Sequence, residues 1–157
     1  MGKINWSRVI LGGLLAGLVL NVVDFVYYGM VMKEDMAAAM QAFGKQPIPA
    51  SMISVLLVWD FVMGIGLVWL YAAIRPRFGA GVKTAVIAGL ALWFFIELMS
   101  AIGTTLDEIA MHALSALTKE QAPMGPFPER LYTIGAVVAL IKIPLACVAG
   151  AYFYTEA

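Results

Sequence analysis

The sequence predicts an all-α integral membrane protein, a four-helix bundle that crosses a bilayer four times. Three observations predict it. Hydrophobic residues make up 62% of the 157 residues and charged residues 13%, about half the charged share of a soluble domain. The apolar residues gather into four stretches, each close to the roughly 20 residues a helix needs to cross the hydrocarbon core. None of the four alternates with period two. Lipid offers no partner to an unpaired backbone amide, so the stretches must be helices or barrel strands, and the missing alternation selects helices. The length suits one domain spanning residues 1–157, and the mean hydropathy is +0.90.

The first stretch is Val9–Met32. A cleaved signal peptide is the alternative reading, but the run is longer than a typical signal core and carries Asn21 and Asp24 late in its course, which favours a retained helix. Lys33–Phe43 follows, a helix-forming run ending at Gly44, a natural capping residue. Met32, Met36, Met40 and Phe43 share one face of it, so this external amphipathic segment (about 33–44) is expected either to continue the first helix or to rest on the interface. Gln46-Pro47-Ile48-Pro49 breaks the chain before the second stretch, Met52–Ile74. Arg75-Pro76-Arg77-Phe78-Gly79 then reads as a short link to the third stretch, Thr84–Thr104. A second external amphipathic helix is expected at Asp107–Thr118, and Ala122–Pro128, rich in proline, separates it from the last stretch, Leu131–Tyr154.

Basic residues favour cytoplasmic termini. Lys3, Arg8, Arg75, Arg77 and Lys83 cluster at one end, against Lys33, Lys45, Lys119 and Arg130 spread over the two longer connections. Trp6, Trp69, Tyr71, Tyr152 and Tyr154 fit an interfacial belt on the first side, and Tyr27, Tyr28 and Tyr132 one on the second. The two halves also resemble copies: a shift of 73 positions lays Asp24 on Glu97, Glu34 on Asp107 and Asp35 on Glu108. Such a pair of helical hairpins would be a parallel repeat, related by an axis along the membrane normal.

The intramembrane ionisable residues carry the most information. Asp24, Asp60, Glu97 and Lys142 each fall in a different apolar stretch, and a charge at mid-bilayer costs roughly 2.5–3.5 kcal/mol even on lenient scales. Counted from the segment midpoints, the three acids lie roughly 4–6 Å to the outer side of the midplane and Lys142 within about 2 Å of it, nearly one layer. Facing agrees with depth. Gly13, Gly17, Asn21, Asp24 and Tyr28 form one stripe. Gly135, Ala139, Lys142, Ala146 and Ala149 form another. Gly89, Trp93, Glu97, Ser100 and Thr104 share a face of the third span, and Asp60, Gly64 and Tyr71 one of the second. Small residues permit close helix approach, so these faces should point inward. The expectation is a buried polar cluster of Asn21, Asp24, Asp60, Glu97 and Lys142. Three acids against one lysine leave uncompensated charge in a low dielectric, which protonation of a carboxyl would relieve. The cluster reads either as a lock holding the helices in register or as a proton or cation relay.

Other chemistry is thinly represented. Glu108 and His112 stand one turn apart on the second external segment and could contribute two metal ligands, where a complete site needs three or four; a solvated helix face explains them more simply. The single cysteine, Cys147, excludes an intramolecular disulfide and any multi-cysteine cluster, and the single histidine excludes a bis-histidine haem within the chain. Ten acidic and ten basic residues leave no net field to recruit nucleic acid. The sequence has no G-x-S-x-G, phosphate-binding loop or H-E-x-x-H motif, so no cofactor and no enzymatic reaction are expected.

Asn5-Trp6-Ser7-Arg8-Val9 with Gly12-Gly13, Arg75–Gly79 with Thr84-Ala85 and Ala88-Gly89-Leu90, Phe127-Pro128 before Arg130-Leu131, and Ala149-Gly150-Ala151 carry a resemblance. Together they resemble an uncharacterised family of small bacterial four-helix integral membrane proteins. The resemblance implies the fold and a bacterial inner membrane, and implies no activity. The long acidic connection around Asp107–Pro126 and the lysine at 142 depart from the family pattern. The resulting expectation is a non-catalytic membrane protein that packs against a larger membrane complex or against copies of itself. The alternative is a small proton- or cation-coupled transporter or channel using the buried cluster.

Overall fold

A computed structural model describes residues 3–42, 49–118 and 129–156. Among them the chain is almost entirely helical, without strands: α1 (Trp6–Val26), a π-helical turn (Tyr27–Val31), α2 (Lys33–Ala42), α3 (Ala50–Phe78), α4 (Val82–Thr118) and α5 (Glu129–Ala151). Four helices are long and apolar enough to cross a membrane, over Trp6–Val31, Ser51–Phe78, Val82–Asp107 and Leu131–Ala151.

Local chemistry sets the ends. Asn5 caps α1, its side-chain oxygen accepting the Arg8 amide at 3.3 Å. At the far end of α1 the ladder widens, and the Met32 amide donates to the Tyr27 carbonyl five residues back at 2.8 Å, the bond that defines a π turn. α2 then starts afresh with Glu34 and Asp35 in its first turn, where acids meet the positive end of the helix dipole. Gly44 and the stretch Ala122–Pro128 lie outside the described residues.

Two boundaries differ from the sequence reading. Arg75-Pro76-Arg77 is the last turn of α3 and not a loose link. Pro76 forfeits one amide bond near the helix end, and the turn is closed by Gly79, whose amide reaches the Arg75 carbonyl at 2.8 Å. Gly79 and Gly81 take positive φ, 85° and 124°, which lets the chain reverse in three residues. Likewise, residues 107–118 continue α4 rather than starting a helix of their own. No proline interrupts the 37 residues of α4, and at 1.5 Å per residue the rod is about 55 Å long against a hydrocarbon core of about 30 Å.

The helices associate through small residues, as expected where lipid removes the hydrophobic drive between them. α1 and α5 are the more enclosed spans; α3 and α4 flank them. A Cβ on Gly13 would lie 2.5 Å from the Ile65 Cα, and one on Gly17 2.7 Å from the Phe61 Cα, so the backbones of α1 and α3 touch. Gly12 meets Gly150 of α5 in the same way, and a Cβ on Gly89 would lie 2.5 Å from the Pro144 Cα. The core of Val9, Ala16, Leu67, Val68, Ala85, Ala88, Ala146 and Cys147 is fully enclosed. It occupies the half of the bundle nearer both termini. In the other half, residues 51–59 of α3 and 101–107 of α4 are exposed on every face.

Candidate functional site: a polar layer between the helices

Asp24 sits near the end of α1 and Lys142 midway along α5. The Lys142 ammonium donates to both carboxylate oxygens of Asp24, at 2.5 and 2.6 Å. The two side chains are largely enclosed, 16% exposed for the lysine and 23% for the acid, so the pair neutralises charge where water is scarce. It is the polar tie between the first span and the last.

Asn21, almost one turn earlier on α1, is buried. Its amide group donates to the Gly17 carbonyl at 2.9 Å and crosses to the Leu57 carbonyl of α3 at 3.3 Å. Its side-chain oxygen is buried without a donor among the described residues. Asp60, half-buried on α3, lies near enough to Asp24 and Lys142 for its charge to act on both, but it forms no ion pair with a described residue. Among the described residues Glu97 forms no ion pair. It accepts the Tyr132 hydroxyl at 3.3 Å, at a more open level of α4 and α5. Tyr28, on the π turn, lies among the charges of Asp24, Asp60 and Glu97, with its hydroxyl against Gly135 of α5. The structure thus joins Asp24 to Lys142, sets Asn21 and Asp60 beside them, and gives Glu97 a partner of its own.

Two further ties come from residues the sequence left unranked. The Trp93 indole N–H donates to the Ala136 carbonyl at 3.0 Å, binding α4 to α5. A second knot lies at the end that carries both termini. After Ala151 the chain curls back, placing Tyr154 edge-on to Tyr71 with ring centroids 5.9 Å apart. The Asn5 amide reaches the Tyr154 hydroxyl at 3.5 Å, and the Gly81 amide donates to the Tyr71 hydroxyl at 3.2 Å. Arg75 lies over the Tyr154 ring at 5.5 Å and 3.7 Å from the Glu156 carboxylate. Tyr71 and Tyr154, expected in an interfacial belt, are buried at 3% and 5% exposure. Trp6, Trp69 and Tyr152 are exposed. Only the returning tail makes the Tyr71–Tyr154 pair, and no local pattern announces a contact between residues so far apart.

Glu108 and His112 fall within α4, with side chains outside the described part. Among the described residues no three His, Cys, Asp or Glu side chains converge as metal ligands. Comparison with protein-family models, with curated proteins and with solved structures finds no match for this chain.

Proposed function

We propose that this chain is a non-catalytic subunit of a membrane assembly, either a larger complex or a homo-oligomer, in a bacterial inner membrane with both termini in the cytoplasm. The observation that carries this reading is the two-pronged Lys142–Asp24 contact. Both charges of that pair are consumed in fastening α1 to α5, with Asn21 fastening α1 to α3 and Trp93 fastening α4 to α5. That supports reading the pair as a register lock. The exposed stretches 51–59 of α3 and 101–107 of α4 then supply the face for partners, since helices in lipid associate through such lateral packing. Extraction from the native membrane in mild detergent, followed by native gels and mass spectrometry, tests it. A defined complex or a homo-oligomer is expected; a monomer with only lipid and detergent attached would overturn the proposal.

A second reading rests on the acids the lock does not use. Asp60 and Glu97 flank Tyr28 close to the pair, a disposition suited to a proton- or cation-coupled transporter or channel. Flux assays in liposomes separate the two. A transporter carrying Lys142→Met keeps its fold and loses flux, whereas a lock loses folded yield.

A further inference from the structure

The end of the bundle that holds both termini differs in charge from everything else in the chain. Lys3, Arg8, Arg75, Arg77 and Lys83 lie there with one acid, Glu156. Glu156 is already engaged, 3.7 Å from Arg75. Lys3, Arg8, Arg77 and Lys83 remain exposed and form no ion pair with a described residue. Among the described residues neither α1 nor α4 offers these cations an acid in its first turn. At the opposite end the signs are mixed, with Lys33 next to Glu34 and Asp35 and with Asp107 closing the third span.

Depth and rigidity make this more than a surplus of lysine and arginine. The spans begin at Trp6, end at Phe78 and begin again at Val82, so Arg8, Arg77 and Lys83 occupy the first or last turn of three different spans. Charges at that level extend along their alkyl stems to the headgroup layer. Trp6, Phe78 and Tyr152 are exposed around them, at 59%, 56% and 85%, as aromatic side chains are at the lipid interface. The three helix ends do not drift independently. The Asn5–Tyr154, Tyr71–Tyr154 and Gly81–Tyr71 contacts knit them into one array.

We propose that this array is a docking surface for the headgroups of anionic phospholipids, with Arg8, Arg77 and Lys83 as its principal charges and Lys3 at its margin. Zwitterionic lipids bring a phosphate with its own ammonium and leave the four cations uncompensated; an anionic headgroup compensates them.

The test uses the full chain in micelles supplied with equal phosphatidylglycerol and phosphatidylcholine, with retained lipids counted by native mass spectrometry. The wild type should enrich phosphatidylglycerol. The variant R8Q/R77Q/K83Q should lose that enrichment, by about five-fold per cation removed, which is ~1 kcal/mol each at about 1.4 kcal/mol per tenfold. Lys33→Gln, at the opposite end, should keep it. Retention of both lipids in the supplied ratio, or equal enrichment by the triple variant, would overturn the proposal. Should the triple variant fail to fold, a salt series on the wild type decides. The extra thermal stability in vesicles containing phosphatidylglycerol should fade as the screening length falls from about 10 Å at 0.1 M salt to about 3 Å at 1 M. Persistence at high salt, or an equal gain from inorganic phosphate alone, would also overturn it.

Discussion

The hairpin of α1 and α3 and the hairpin of α4 and α5 have the same outline and are held together by different means. In the first, Gly13, Gly17 and Gly64 bring two backbones into contact, so cohesion comes from shape. In the second, among the described glycines, Gly89 alone plays that part, against Pro144, and the Trp93 and Tyr132 hydrogen bonds add to the packing of the small residues around it. The shift of 73 that aligns the acids lays Gly13 on Val86, Gly17 on Leu90 and Gly64 on Val137. The π turn at Tyr27–Val31 falls opposite a plain α-helical stretch of α4. If these are copies, they share the depth of their acids and little of their packing. The Lys142–Asp24 pair belongs to neither hairpin: it fastens one to the other.

That division can be broken at each joint. Lys142→Met strikes between the hairpins. It leaves a largely enclosed carboxylate unpaired and should cost about 3 kcal/mol, measured by unfolding in mixed micelles. Adding Asp24→Asn should recover most of the loss. A double variant as unstable as the single would mean that the pair's geometry, and not its charge, does the fastening. Gly64→Val strikes within the first hairpin. The new Cβ would collide with the Gly13 carbonyl and the Gly17 amide, backbone atoms that cannot step aside, so a loss near the top of the usual overpacking range is expected, about 2–3 kcal/mol. Gly66→Val, two residues on with nothing within 4 Å, should stay within about 0.5 kcal/mol of wild type. Equal effects at 64 and 66 would refute the shape argument. Trp93→Phe probes the second hairpin. It removes one hydrogen bond while keeping a ring, and a loss of about 1 kcal/mol is expected. No loss would mean that α4 and α5 also cohere by packing alone.

The spans themselves were legible because apolar length is a local property. Their ends were less so. A polar stretch such as Thr104–Glu108 signals exit from lipid but carries no helix breaker, so α4 continues across it. Pro76 does signal a break, yet sits close enough to the α3 terminus that the helix finishes its turn around it. In the polar layer, counting residues from the midpoints placed Asp24 and Lys142 at one depth, and the structure brings them into contact. The same count put Glu97 in the group, and its charge reaches Tyr28 together with those of Asp24 and Asp60. Its tie to Tyr132 depends on how α4 leans against α5, which spacing along one helix does not encode. The Tyr71–Tyr154 pair was illegible for a related reason: aromatic rings near a span's end read as interfacial until the fold shows a tail returning over them.

Asp24 and Lys142 are separated by 118 residues, and that distance is also a delay. At about 5–20 residues per second a ribosome needs on the order of 10 s to travel from one codon to the other. Throughout that interval the first span exists and its counter-ion does not. An unaccompanied carboxylate at that depth opposes insertion by roughly 2.5–3.5 kcal/mol, so the newborn α1 must wait at the insertion machinery or lean on another protein until α5 arrives. Arrival of α5 is therefore what supplies the counter-ion that α1 lacks until then.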